Sequence, residues 1–166
     1  QNLYDAPCNV FVAGFIGTPQ MNFLNGTLEK KADEVFFCFE GNRIKLPAEK
    51  TAEGVLDEYI GKEVIAGIRP ELIHDEQIFL DSMPDNIIDA KVEVTELMGA
   101  EIYLYLAIEG VECFNLDSNK GENIKNDIIA KVSSRSGARA GDTIRVAIDA
   151  SRIHLFDKDS QKYIIH

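Results

Sequence analysis

Glu93-Val94-Thr95-Glu96-Leu97-Met98-Gly99-Ala100-Glu101-Ile102-Tyr103-Leu104-Tyr105-Leu106 is the stretch that decides how this chain folds. Polar and apolar side chains alternate along Glu93 to Leu97 and again along Tyr103 to Leu106, the two-residue period of a half-buried strand. Met98-Gly99-Ala100 is the turn that joins the two into a hairpin. Outward from it the pattern repeats at short spacing. Strands are expected at Ile88 to Leu97, Ile102 to Ile108, Val111 to Leu116, Ile128 to Val132, Thr143 to Ile148 and Ile153 to Phe156, with a weaker one at Tyr163 to Ile165. Glu109-Gly110 marks another turn. Many short strands with little helix between them predict an all-β chain, a small antiparallel barrel or sandwich. No repeat of 20 to 50 residues is present.

Upstream the texture is similar except at two places. Pro7 to Ile16 reads as a short helix, with Pro7 at its first position and Gly17 and Pro19 as its stop. Phe11 and Phe15 share one face while Val10, Gly14, Val12 and Ile16 flank it, so this helix needs cover on more than one side. It is read as a joint to something else, against the plainer reading of a buried N-terminal helix. Met21 to Lys31 and Glu34 to Glu40 form a hairpin pattern, and Phe36-Phe37-Cys38-Phe39 predicts a strand covered on both faces. Arg43 to Leu46 is a further strand ended by Pro47. Ala48 to Tyr59 reads as a second, short helix with Val55, Leu56 and Tyr59 on one face. Glu63 to Ile68 is a strand closed by Arg69-Pro70-Glu71. A solvated acidic loop carrying Asp75, Glu76, Asp81 and Asp85 follows, and Asp117 to Asp127 is a polar loop.

The totals narrow the function classes. A chain of 166 residues with 45% apolar content can fill one ordinary core or two small ones sharing an interface, and one compact unit with an N-terminal appendage is the default. No apolar run reaches the roughly 18 to 20 residues of a bilayer-spanning helix. The formal charge is −11, with 7 basic and 15 acidic residues before Asn86 and 10 and 13 after it. Such a surface disfavours nucleic acid, which needs a basic stripe. Cys8, Cys38 and Cys113 are odd in number and lack C-x-x-C spacing, which speaks against a disulfide framework or a zinc site and suits a reducing cytosol. The first residue is Gln, so a piece of a longer protein is expected.

No P-loop, dinucleotide fingerprint, H-E-x-x-H or nucleophile elbow occurs. His74, His154 and His166 stand singly, and the acidic loop lacks EF-hand spacing. No catalytic residue and no metal site is therefore expected. Ser133-Ser134-Arg135-Ser136-Gly137-Ala138-Arg139-Ala140-Gly141-Asp142 is the more telling segment. Two arginines, three hydroxyls and two glycines sit in a turn between strands, where backbone N–H groups and guanidinium forks can converge on an anion. Candidate effector-binding residues are Ser134, Arg135, Ser136, Arg139 and Arg145, with Arg152 nearby. A polar hairpin loop with its arginines in water is the competing reading.

The segment Leu3-Tyr4-Asp5-x-Pro7-x-Asn9-x-Phe11-Val12-Ala13-Gly14-Phe15-Ile16-Gly17-x-Pro19-x-Met21-Asn22-Phe23 resembles the region that leaves the nucleotide-binding domain in ATPase subunits of bacterial ABC carbohydrate importers of the maltose and glycerol-phosphate type. Gly67-Ile68-Arg69-Pro70-Glu71, Glu96-Leu97-Met98-Gly99-Ala100-Glu101-x-Tyr103, and Gly141-Asp142 through His154-Leu155-Phe156-Asp157 are similar to later motifs of that family, in the same order. Met98 departs from the bulkier aliphatic or proline often found there. The resemblance implies a C-terminal regulatory domain of the TOBE type on an OB-fold-like barrel, with residues 1–20 as linker helix and 21–166 as regulatory domain. Phe11, Phe15, Met21 and Phe23 would pack at the linker or an interface. It implies a homodimer, contact with its own ATPase domain, and transporter membrane subunits reached through that domain. A regulatory protein is a further partner in some members. The place would be the cytoplasmic face of the cell membrane. The P-loop, signature motif and Walker B carboxylate of that family are not in this sequence. The resemblance thus implies no ATP hydrolysis by this chain, with ATP and Mg bound upstream and no cofactor here.

Overall fold

β1 (Asn22–Lys31) organises the first sheet by changing partners along its length. The structure is a computed structural model and describes residues 8, 9, 13, 17, 19–114 and 127–165. The first half of β1 pairs antiparallel with β4 (Glu63–Ile68), Asn22 opposite Ile68 and Thr27 opposite Glu63. Its second half pairs with β2 (Glu34–Phe39), from Thr27 opposite Cys38 to Lys31 opposite Glu34. Gly26 sits at the handover, where a Cβ would lie 2.5 Å from both the Cys38 carbonyl oxygen and the Phe37 ring. Only glycine lets β1 bend across β2 there. β3 (Asn42–Lys45) continues beyond β2, and Phe36 and Phe37 are both buried, so β2 is covered on both faces as its apolar run implied.

The second sheet holds the hairpin read first. Its order is β5 (Ile73–His74), β10 (Thr143–Ile148), β6 (Ile87–Met98), β7 (Glu101–Ala107) and β9 (Ile128–Ser133). β8 (Cys113–Phe114) crosses to pair with Phe23 and Leu24 of β1. β11 (His154–Asp157) and β12 (Tyr163–Ile165) likewise return to the first sheet, β11 beside β4. The fold is thus a pair of small antiparallel sheets closing on each other, OB-like in character, with strands of each half lent to the other's sheet. One cluster drawn from both sheets forms the core, including Leu24, Leu28, Phe37 and Ile68 from the first and Ile88, Val92, Leu104 and Ile148 from the second.

A smaller cluster of Ala13, Met21, Phe23, Ile65 and Phe156 lies apart from it. Phe23 and Phe156 meet edge-on with centroids 6.1 Å apart. A Cβ on Gly67 would come within 2.5 Å of the Met21 sulfur, so the Gly67-Ile68-Arg69 segment uses its glycine to admit that side chain. Met21 and Phe23 are fully buried there. Ala13 is helical and donates to the Asn9 carbonyl at 3.0 Å. Phe11 and Phe15, and with them most of the expected helix from Pro7 to Ile16, lie outside the described residues, as does most of the polar loop up to Asp127.

Several expectations are corrected. The helix expected over Ala48 to Tyr59 is a single turn, α1 (Ala48–Thr51), followed by 3₁₀ turns at Ala52–Gly54 and Asp57–Tyr59. Glu53 and Gly54 take φ of 63° and 70°, which ends an α-helix. Leu56 is buried as expected, but Val55 is exposed. The acidic loop is not merely solvated. It contains β5 and α2 (Gln77–Ser82), whose Leu80 is buried. The alternation through Glu93 and Val94 is interrupted by a bulge, because Val92 opposes Leu106 while Val94 opposes Tyr105.

A candidate effector cleft beside the 133–142 loop

β9 and β10 are joined by the loop singled out above, and its backbone is folded inward upon itself. The Ser134 N–H donates to the Ala100 carbonyl at 3.2 Å, that of Ser136 to the Ser133 carbonyl at 2.9 Å, and that of Asp142 to the Arg139 carbonyl at 3.0 Å. Side-chain oxygens take three more: Ser133 Oγ from the Arg135 N–H, Ser136 Oγ from the Ala138 N–H, and Asp142 Oδ2 from the Arg139 N–H. The Gly141 N–H donates to the Val92 carbonyl at 2.8 Å. Most of the backbone donors expected to converge on an anion are therefore already used. What the loop offers outward is its side chains. Arg135, Arg139 and Arg145 are exposed, and none forms an ion pair among the described residues. Ser134 is exposed as well.

Beneath the loop lies a cleft of about 310 Å³, at the lower end of the volumes that hold small ligands. Asp75, Leu80, Gly137, Ala138, Asp142, Ile144 and Arg145 line it. The Ser136 hydroxyl donates to Asp75 Oδ2, whereas Asp75 Oδ1 is buried without a hydrogen-bond partner among the described residues. Of the five sequence-chosen residues, the structure brings Arg145 to the cleft and Ser136 to its rim. Arg135, Arg139 and Ser134 do not line it. The side chains available are two carboxylates and one guanidinium over an apolar floor of Leu80 and Ile144. That set hydrogen-bonds donors and acceptors alike and is less suited to a free oxyanion than the loop sequence alone implied.

Two of the histidines are accounted for by packing. His74 stacks on Phe79 with centroids 3.9 Å apart, and burial pushes its pKa below the usual histidine value despite Asp149, Glu76 and Asp75 nearby. His154 is buried beside Phe156. Among the described residues no three His, Cys, Asp or Glu side chains are grouped to hold a metal ion. No helix among them is long and apolar enough to cross a membrane.

The sequence reading missed two buried amides. Asn22 donates through Nδ2 to the carbonyls of Ile68 (3.1 Å) and Ile129 (2.9 Å) and accepts from the Ile129 N–H through Oδ1 (2.8 Å). Asn86 accepts from the Lys45 N–H (2.8 Å) and donates to the Ile148 carbonyl (3.2 Å). Asn22 stands between Met21 and Phe23 in an apolar run, which was the available signal. Asn86 follows Pro84-Asp85 and looks like an ordinary turn residue.

Comparison with known proteins places these features in a family. Residues 17–73 match the family model described as the MalK OB fold domain, and residues 82–155 match the TOBE domain. The chain is a MalK-type OB fold domain joined to a TOBE domain. The structure adds that the MalK-type OB and TOBE segments are interlocked, since β5 lies in the TOBE sheet while β11 pairs with β4 of the OB segment. Its sequence is similar to the oligosaccharides import ATP-binding protein MsmX of Bacillus subtilis, 37% identical over 97% of this chain and 39% of that protein. It is 36% identical to the trehalose/maltose import ATP-binding protein MalK of Thermococcus litoralis, over 98% of this chain and 39% of the relative. The chain thus spans about two fifths of the length of these relatives. Among solved structures, the molybdate-bound cytoplasmic molybdate-binding protein ModG is similar in fold, with a TM-score of 0.54 at 18% identity, covering 81% of this chain and 92% of that one.

Proposed function

We propose that this chain is the regulatory region of the ATP-binding subunit of an ABC sugar importer, a non-catalytic element that keeps two subunits associated while their nucleotide sites open. The observation that carries the reading is the run of similarity to importer ATP-binding proteins over nearly the whole chain, through both the OB and the TOBE segment. In this reading the chain holds no cofactor. ATP and Mg belong to an ATPase domain upstream, which contacts the membrane subunits on the cytoplasmic face, and residues 1–20 lead from that domain into the regulatory unit at 21–166. Sedimentation of the full-length gene product without nucleotide, with and without the 166 residues described here, tests it. A dimer that becomes a monomer on their removal is expected. A dimer that persists without them, or a monomer in both cases, overturns the proposal.

A second reading is effector sensing at the 133–142 loop, by Ser134, Arg135, Ser136, Arg139 and Arg145. It is favoured by three guanidinium groups that form no ion pair among the described residues, on a chain of net charge −11. The fold likeness to a protein whose structure holds molybdate makes oxyanions the first probes. Calorimetry with molybdate, sulfate and phosphate against Arg135→Ala, Arg139→Ala and Arg145→Ala decides it. Heats that none of the three substitutions changes would remove the loop as the site.

A further inference from the structure

We propose that the outer edge of β6 at residues 94–98 is a docking strand, which a partner protein completes by adding an extended, basic segment to the sheet. This goes beyond the importer reading and does not rest on it. The edge is open by construction. β10 pairs with β6 only as far as Thr143 opposite Lys91, and the last backbone bonds on that side join Val92 to Gly141 and Asp142, both at 2.8 Å. After the bulge, residues 94–98 pair with β7 alone among the described residues. Their other row of N–H and C=O groups has no strand beside it among the described residues. Natural sheets blunt such edges with charged side chains, lysine above all, with proline or with a bulge. Residues 94–98 contain no lysine or proline, and their one charge is Glu96, beyond the bulge between Val92 and Val94.

The side chains along this edge have the make-up of a recognition strand. Val94, Leu97 and Met98 are 51%, 71% and 43% exposed, an unusual concentration of bare apolar groups on one hairpin. Cross-strand register sets Val94, Glu96 and Met98 on one face with Tyr105, Tyr103 and Glu101, while Leu97 extends the row of Ile102 and the buried Val132 on the other. An added strand would therefore find apolar contacts on both faces at alternate positions, the pattern by which strand addition gains specificity.

Charge chooses the occupant. The nearby cations are already paired, Lys91 with Glu93 at 3.4 Å and Lys131 with Glu101 at 3.6 Å. Among the described residues Glu96 receives only the Tyr105 hydroxyl, at 3.1 Å. A second copy of this chain fits badly, because antiparallel pairing of two such edges about their midpoint sets Glu96 against Glu96, and like charges directly opposite are destabilising. A segment bearing lysine or arginine instead meets an unneutralised carboxylate in a protein of net charge −11.

The probe is a dye-labelled peptide with blocked ends and alternating valine and lysine, with a valine–glutamate peptide as control. Fluorescence anisotropy should show binding of the first and not the second, weakened at least about tenfold by Glu96→Lys and less by Glu96→Gln. Amide exchange at residues 94–98 should slow when the basic peptide is bound. No binding, equal binding by wild type and Glu96→Lys, or unchanged exchange at residues 94–98 overturns the proposal. So does a self-associated chain in which the same amides are protected without peptide, which would make a second copy the occupant.

Discussion

Replacing Asn22 with leucine should destabilise the fold by far more than a same-sized polar-to-apolar change on a surface strand. Asn22 is only 1% exposed, and its amide reaches from β1 to β9, which is the edge of the second sheet. Ile129 of β9 both donates to Oδ1 and accepts from Nδ2. The amide thus stands in for the next strand of a ladder. Leucine fills a similar volume, so the cavity contribution is small and the cost is that of leaving the buried Ile68 carbonyl and the part-buried Ile129 N–H and carbonyl without this partner. Each stranded buried group costs about 1–3 kcal/mol, and a carbonyl left with a partly satisfied second lone pair sits at the low end. About 3 kcal/mol in total is expected. With a urea slope of about 2 kcal/mol/M, the unfolding midpoint falls by about 1.5 M. Exchange of the Ile129 amide should accelerate in parallel. A midpoint shift below about 0.25 M, with the Ile129 amide unchanged, would refute the assignment of this side chain as a bridge between the sheets.

Gly67→Ala should cost about 1–3 kcal/mol by urea unfolding, because its Cβ would press on the Met21 sulfur at 2.5 Å and the Phe156 ring at 3.1 Å; Gly61→Ala, where nothing lies within 4 Å, strains only the backbone at φ 79° and gives the comparison for steric cost. Alkylation by iodoacetamide at neutral pH should modify Cys8 first and Cys113 last, since Cys8 is exposed whereas burial pushes the Cys113 thiol up to about 12; mass spectrometry of digested samples gives the order. His74 has its pKa lowered by burial, so its contribution to stability is present above its unfolded value near 6.5 and is lost as pH falls through its lower folded value. The variant His74→Phe, which keeps a ring against Phe79, should flatten the decline of the thermal midpoint between about pH 7 and 5, and an unaltered decline would show that another group carries it.

How much could be read beforehand follows from which features are periodic. The strands at Ile88 to Val92, Tyr103 to Leu106 and Ile128 to Val132 were legible because their two-residue period matches their burial, and those at Phe36, Val146 and His154 because an apolar run matches a buried one, whereas the alternation along residues 93–98 does not correspond to burial, since none of them is buried. Ala48 to Tyr59 misled because helix propensity is a weak prior, and a left-handed pair at Glu53 and Gly54 outweighs it. The bulge at Val92–Val94 was hidden, since a strand's own sequence does not show the register of its partner. The same limit applies to the candidate cleft. Arg145 could be named and Asp142 lay in the same loop, but Asp75 could not, because it arrives from a segment some seventy residues away.

Taken together, the two buried asparagines explain why two small open sheets close into one body. Each sheet ends in an edge strand whose backbone groups need partners, and neither sheet has another strand to give. Asn22, from the first sheet, serves Ile129 on β9 at the edge of the second. Asn86, at the start of the second sheet, serves Lys45 on β3 at the edge of the first, and also reaches the Ile148 carbonyl on β10. The arrangement is reciprocal, with a side-chain amide bonding one edge strand of each sheet, β9 and β3. Because β5 and β11 also cross between the halves, strain at one sheet cannot be relieved without disturbing the other. Against that closure residues 94–98 stand out. They form an edge that no asparagine, strand or lysine covers among the described residues, in a fold that has met the β3 and β9 edges with buried amides.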